Sequence, residues 1–335
     1  MQTNRFILHA HYHRAFALAN EFIKGNINGK NIMLIIGPTG VGKTTLRRQL
    51  LRAHYGNPLN WEPGKLRCIE VMATQTENSY FKSSALAENI HRELFSPDLR
   101  FLKPTDAGEE FDTYCRTQMH MAANTGLNIN YRNTPETRVW PIISMLAKQR
   151  CIELISIEHA DALSKNHANQ VPAEHVRNIM SVNEDIGSKL IFTSATNGYK
   201  LYERDREVCD RMFIVPLYPY DLQNSDEANS FLKLLFAISL DFEFEPHNLF
   251  KSMYREIAAV TGTTIRDVFS LFAMARSIAH ISGRAKITKS DLMSAMPSLA
   301  DCRNTLADIA LFREKVRPCS AGELKFLVNQ LGASK

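Results

Sequence analysis

The sequence predicts an α/β fold, a five-stranded parallel sheet flanked by helices and followed by a small all-helical lid. Three observations predict it. Apolar, β-branched runs of strand length recur at 31–36, 67–72, 151–157, 189–194 and 212–215. Segments with helical apolar spacing separate them, as at Leu86, Ile90 and Leu94, so the strands read as parallel and covered on both faces. From about residue 221 the strand signal stops and only helical spacing continues.

In chain order, residues 1–30 form an N-terminal helical segment. Arg5, His9, His11, His13 and Arg14 leave no apolar region there for a signal peptide. Residues 31–220 carry the α/β nucleotide-binding domain. Within it, 73–150 offers no strand and predicts extra helices with a loop around 127–140. Residues 221–300 are the helical lid, read from Phe231, Leu234, Leu235 and Ile238, then Phe250, Met253, Ile257 and Val260, then Ile265, Val268, Phe269 and Phe272. A last short helix begins at Thr288, with Asp291 at capping-box spacing. Residues 301–335 read as a loosely attached tail.

Composition excludes several classes. Hydrophobic residues at 44% and charged residues at 22% are those of a folded globular chain rather than a disordered one. No apolar run approaches the roughly 18 residues that span a bilayer, so no membrane partner and a cytoplasmic location are expected. The six cysteines are scattered without a Cys-x-x-Cys pair and read as reduced thiols. A formal net charge of +5 is compatible with a nucleic-acid partner without demonstrating one.

Function is written most sharply in "GPTGVGKTT". Gly37, Pro38, Thr39, Gly40, Val41, Gly42, Lys43 and Thr44 fit G-x-x-x-x-G-K-[ST] at every fixed position, between a strand and a helix. Side chains at the glycines would obstruct the backbone amides that wrap phosphates, and the following helix adds its positive end. Lys43 reaches the β- and γ-phosphates in such a loop, and Thr44 offers its hydroxyl to magnesium. Arg47, Arg48 and Arg52 on that helix read as solvated surface residues, with approach to an acidic partner as the alternative.

A phosphate loop needs a carboxylate at a neighbouring strand end, and usually a second to orient the attacking water. In "CIELISIEHADAL", Glu158 takes the magnesium-side position and His159 falls where the second acid belongs. In the alternative register Glu158 orients the water and Ile157 takes the metal side; Asp161 is a less favoured substitute for His159. Thr193 and Ser194, at the end of the next strand, are candidates to contact the γ-phosphate or the attacking water. Arg204, Arg206 and Arg211 precede the fifth strand, where one can reach the nucleotide of an adjacent subunit, with local ion pairs as the competing role. Arg266 opens a lid helix from which it can return to the phosphates, with an ion pair to Asp267 as its alternative.

The stretches "IMLIIGPTGVGKTTL", "ISIEHADAL", "DRMFIVPLYP" and "TGTTIRDVFSLFAMARSIA" together resemble the AAA+ ATPases. More narrowly, they resemble the TnsC/TniB-type transposition regulators, including those of CRISPR-associated transposons, over residues 5–300. The resemblance implies a P-loop ATPase that holds ATP and Mg2+ between neighbouring subunits. It also implies a homo-oligomeric ring or helical filament around double-stranded DNA, linking a target-selecting protein to a transposase. Residues Gly37 to Thr45, Thr45 included, match the family's phosphate loop, Arg266 its second sensor, and Arg206 or Arg211 its arginine finger. Glu158-His159 departs from the usual acidic pair, which predicts slow hydrolysis. In such rings the DNA-facing surface follows the second strand, pointing to Lys82 in "TQTENSYFKSS" and to Arg92 and Arg100.

Two other functions compete. A P-loop small-molecule kinase would have no use for the lid arginine and the arginines before the fifth strand in this arrangement. An initiator- or loader-type DNA ATPase shares the fold; the short stretch after residue 300 disfavours the winged-helix domain that initiators append.

Overall fold

Short, almost wholly apolar runs become strands because both their faces are covered. β1 (Ile32–Ile36) is buried at all five positions, and β4 (Lys189–Ser194) at five of six. A computed structural model describes residues 9–74, 81–104, 108–124, 136–165, 172–325 and 328. With β2 (Cys68–Met72), β3 (Leu154–Glu158) and β5 (Met212–Pro216) these strands form one all-parallel sheet in the order β2-β3-β4-β1-β5. The chain therefore crosses over between β1 and β2. The C-terminal ends of β1, β4 and β3 lie side by side, where open α/β sheets bind ligands.

Helices complete the layers. α1 (Ala10–Lys24) lies against α2 (Lys43–Tyr55) and β5, while α3 (Ser83–Phe95) covers β2. Leu86, Ile90 and Leu94, spaced by four, are all buried, as their periodicity predicts. α4 (Glu109–Asn124) and α5 (Glu136–Gln149) are the extra helices expected between 73 and 150; of the loop expected at 127–140, residues 127–135 lie outside the described residues and 136–140 are instead the start of α5. α6 (Pro172–Ile186) and α7 (Arg206–Arg211) precede β4 and β5.

The lid has its own core. α8 (Ser225–Ser239), α9 (Leu249–Ser252), α10 (Tyr254–Thr261), α11 (Ile265–Ile281) and α12 (Lys289–Ser294) enclose it, with the rings of Phe242 and Phe244 set edge-on to Phe272. The expected capping box closes α12: Thr288 and Asp291 each bond the other's backbone amide.

The C-terminal stretch departs from expectation. Instead of beginning a loosely attached tail, residues Leu299–Val316 form a helix, α13, capped by Ser298. Phe312 is fully buried in the core of the α/β domain, and Ile309 packs on Gly262 at the end of α10. Tyr218 donates to Val316 O at 3.0 Å and Arg313 to Tyr220 O at 3.3 Å. α13 thus straps the lid to the sheet domain across the 217–224 connection. From the other side, His11 Nδ1 donates to Tyr218 O at 2.7 Å, and His9 Nδ1 lies 2.8 Å from Tyr220 Oη. Burial, helped by His11 and His13, pulls His9 down to about 4, so this contact forms with a neutral imidazole.

Candidate nucleotide site

β1 hands the chain directly to the loop. A Cβ on Gly37 would stand 2.6 Å from Leu217 O, so the loop can leave the sheet here only without a side chain. Gly40 (φ 89°) and Gly42 (φ 98°) adopt left-handed backbone that favours glycine. Gly42 is also the N-cap of α2, and no side chain caps it. The first-turn amides of α2 are thus free of a side-chain partner, at the positive end of a 13-residue helix. Lys43 Nζ donates to Gly37 O and Pro38 O, each at 2.7 Å. Burial brings its amine down to about 8, against the upward pull of Asp308, Asp161 and Glu158. Thr39 and Thr45 are exposed on either side of the buried Val41. Uncapped amides, left-handed glycines and a buried ammonium suit a polyphosphate.

Glu158, the last residue of β3, lies opposite. Thr44 Oγ1 donates to its Oε1 at 2.6 Å. A hydroxyl and a carboxylate in contact are hard oxygen donors of the kind Mg2+ takes with phosphates. Burial pushes the Glu158 carboxyl up, but Arg47, Thr44 and Arg48 outweigh it and hold the group below its ordinary value. The ends of β3 and β4 are in register, Glu158 beside Thr193. The Thr193 hydroxyl is buried and has no hydrogen-bond partner among the described residues. Ser194 does not share that position: its hydroxyl donates to Ala195 O at 3.0 Å and is packed against Gly198. The strand-end hydroxyl level with Glu158 is therefore Thr193 rather than Ser194.

The largest departure from the sequence reading is on α2. Arg47 is not a solvated residue; it is fully buried, with Nη2 2.7 Å from Glu70 Oε2 and 3.1 Å from Glu158 Oε2. Arg48, about half exposed, reaches Glu70 Oε1 at 3.1 Å, and Arg52 donates to Phe101 O at 3.0 Å. Sequence reasoning missed Glu70 altogether. The signals existed: Arg47 lies on the stripe that buries Leu46, Leu50 and Leu51, and Glu70 is a lone charge inside the apolar run of β2.

His159 has left-handed backbone (φ 56°) and an exposed side chain. It stands one residue beyond the strand, where the chain turns into a short 3₁₀ segment, 160–164. Asp161, in that segment, bears on Lys43 electrostatically. The lid supplies Arg266. Its backbone N–H donates to Gly40 O at 3.1 Å, and its Cβ would lie 3.3 Å from a Cβ on Gly40, so α11 is docked on the phosphate loop. The Arg266 guanidinium also meets Asp267 at 3.1 Å, so the ion pair weighed as its alternative forms as well.

Arg206 and Arg211 are on α7, at the opposite end of the sheet. Met212 is level with Ile32 at the start of β1, whereas the loop follows Ile36. At about 3.3 Å per residue, the length of a strand separates them from their own loop. Arg206 is 95% exposed and 3.7 Å from Asp210; Arg211 pairs with Glu184 and Glu207. Arg204 is also exposed.

The residues proposed to face DNA divide. Lys82 is exposed at the start of α3, but residues 75–80 of its loop lie outside the described residues. Arg92 and Arg100 line a cavity of about 770 Å³ together with Arg48, Glu70 and Glu158. Each already has a partner: Asn89 at 2.9 Å for Arg92, and Asp98 at 2.8 Å for Arg100. Among the described residues no single helix is long and apolar enough to cross a membrane, and no cluster of His, Cys, Asp and Glu could hold a metal on its own.

Comparison with known proteins agrees with this geometry. The AAA domain family matches residues 26–198, just over half of the chain. No curated protein matches the sequence. Among solved structures, the ORC2 protein of Aeropyrum pernix, in ADPNP and ADP complexes, superposes with a TM-score of 0.52 at 15% identity, covering 99% of this chain and 88% of that one. The Walker-type ATPase paby2304 of Pyrococcus abyssi gives 0.49 at 14% identity, over 95% and 87%. The RuvB Holliday junction branch migration motor of Thermotoga maritima gives 0.41 at 13%, over 85% and 67%. The first of these bears on the fold and on nothing further. With the family match spanning β1 to β4 and the phosphate loop built as described, the chain belongs to the AAA domain family and is an AAA+ P-loop ATPase.

Proposed function

We propose that the chain binds ATP with Mg2+ in the phosphate loop, hydrolyses it slowly, and uses occupancy of the site to assemble copies of itself on double-stranded DNA. In this reading it is a transposition regulator that couples target-site selection to a transposase. The observation that carries the proposal is the split of the site. Lys43, Thr44, Glu158 and Arg266 converge on one end of the sheet, while Arg206, exposed, and Arg211, half-buried, stand at the other. Arginines so placed serve a neighbour's loop, not their own. Nucleotide bound at such a junction stabilises the assembly that completes it, which is the coupling a switch requires.

The residues divide the work. The α2 amides and Lys43 hold the phosphates, and Arg266 adds a positive charge from the lid, so lid position and occupancy are linked. Thr44 and Glu158 would hold Mg2+, which supplies charge neutralisation on the β- and γ-phosphates. Thr193, level with Glu158 and without a hydrogen-bond partner among the described residues, offers a hydroxyl that can orient a water. His159 is a weaker anchor for that water than a carboxylate, which makes turnover slow. Arg206 or Arg211 stabilises charge at the next subunit's site. Lys82, Arg92 and Arg100 are the candidate DNA contacts; contacts of that kind go to phosphates and give salt-dependent binding without base readout.

A second reading, an initiator-type DNA ATPase, is favoured by the fold likeness to ORC2 over nearly the whole chain. Electron microscopy with duplex DNA separates the readings. The switch predicts ordered oligomers on DNA of any sequence with ATP or a slow analogue, absent with ADP and abolished by Lys43→Ala. Isolated particles confined to one DNA sequence indicate the initiator, and assembly indifferent to nucleotide and to Lys43 sinks the switch.

A further inference from the structure

Arg47 is the least expected residue of the site, a guanidinium with no exposed surface whose buried Nε and Nη1 have no hydrogen-bond partner among the described residues. Burying a cation is costly unless anions repay it. Two carboxylates do so here. Glu70 is opposite Ser156 in the β2-β3 register, and Met72 is opposite Glu158. Side chains two apart on a strand share a face, so Glu70 and Glu158 emerge on the same side of the sheet, diagonally across the ladder. The single Nη2 of Arg47 sits between them, 2.7 Å from Glu70 and 3.1 Å from Glu158.

This matters because both oxygens of Glu158 are engaged, Oε1 by Thr44 and Oε2 by Arg47. Were Glu158 the only anion in reach, Arg47 and Arg48 would both turn to it. They would neutralise the one carboxylate that the loop presents to a cation. Glu70 limits that: its Oε2 forms an ion pair with the same Arg47 nitrogen that bonds Glu158, and its Oε1 takes Arg48. Two guanidinium groups are thereby matched by two carboxylates.

We propose that Glu70 is a positioning residue that shares Arg47 with Glu158 and keeps Arg48 to itself, so that Glu158 faces one shared guanidinium rather than two and retains negative charge with which the site engages Mg2+. The proposal rests on the reading of Glu158 and Thr44 as the magnesium side. Glu70 touches no nucleotide in this account; it acts through Arg47. Its loss leaves a net positive charge beside the metal position, an effect on the order of tenfold for one charge in a part-buried site.

The test is the Mg2+ dependence of binding of a fluorescent ATP analogue by the full chain, with thermal melts for each variant. Glu70→Gln should raise the Mg2+ midpoint about tenfold while leaving metal-free nucleotide binding unchanged. Arg47→Met should hold or lower the midpoint. In Arg47→Met/Glu70→Gln the cost of losing Glu70 should fall below that in Glu70→Gln alone, because only Arg48 remains for it to restrain. Glu70→Asp, which keeps the charge, should stay within about threefold of the native chain, and it carries the test if Glu70→Gln fails to fold. A midpoint unmoved by Glu70→Gln, or a double variant as impaired as Glu70→Gln, overturns the proposal while leaving the site reading intact. Nucleotide binding by the native chain that ignores Mg2+ and survives Lys43→Ala overturns both.

Discussion

Two groups of arginines flank the same sheet and behave oppositely. Those on α2 grow from the phosphate loop: Arg47 is sealed between Glu70 and Glu158, and Arg48 and Arg52 are tied to Glu70 and to Phe101 O. Of those on and before α7, Arg204 and Arg206 are exposed, Arg206 95% in solvent beside one acid on its own helix, and Arg211 is half-buried with surface ion pairs to Glu184 and Glu207. A buried charge fixes its neighbours, because moving any of them leaves an ion unpaired in a poor solvent. An exposed charge costs little to redirect, and local ion pairs at the surface are worth little. The α2 arginines are therefore part of the site's internal frame, and the α7 arginines are available to something outside the chain.

The comparison can be broken from either side. The largest effect expected is on turnover. Replacing both Arg206 and Arg211 with Ala should lower ATP hydrolysis on the order of 10³-fold, as loss of an arginine finger does, with an unchanged melting temperature. A retained rate would make them surface residues only. Arg47→Ala should do the reverse, unfolding the chain about 3–5 kcal/mol more easily in urea because it strands two carboxylates. A variant as stable as the native chain would mean that Arg47 is held by packing rather than charge.

A smaller effect tests the strap across the domains. The folded state holds His9 near 4, whereas the unfolded chain titrates at its ordinary 6.5. Below 6.5 the unfolded state binds the extra proton, so stability is lost as pH falls from about 6.5 to about 4, by on the order of 2–3 kcal/mol. Melts of the native chain and of His9→Gln across that window should converge toward acid if His9 is responsible. The smallest effect concerns His159. A carboxylate there should raise turnover roughly tenfold, partly offset by about 1 kcal/mol of strain, because Glu tolerates left-handed backbone less well than His. A lower rate in His159→Glu would favour the register in which Glu158 itself orients the water.

Much of this architecture was legible because burial and sequence pattern agree. The five strands are apolar runs, the phosphate loop is a fixed spacing of glycines and Lys43, and Thr288 with Asp291 announces α12. What escaped had its physical cause in pairing across the sequence. The apolar surroundings of Arg47 and Glu70 mark each for burial, but nothing local marks them as partners until β2 and β3 come into register. α13 was missed for a different reason: its attachment rests on Ile309 and Phe312, too few positions to show a helical stripe. Ser194 and Thr193 are adjacent hydroxyls that only the sheet register tells apart.

Everything in the proposed switch depends on a site shared between subunits, and mixing two crippled chains tests that most directly. Lys43→Ala lacks the loop and Arg206→Ala/Arg211→Ala lacks the reaching arginine, so each alone should be inactive on DNA. Mixed in equal amounts they should recover roughly a quarter of the native ATP turnover, the statistical share of interfaces with both halves intact. A mixture as inactive as its components, or an arginine variant that hydrolyses ATP at the native rate by itself, would contradict the account.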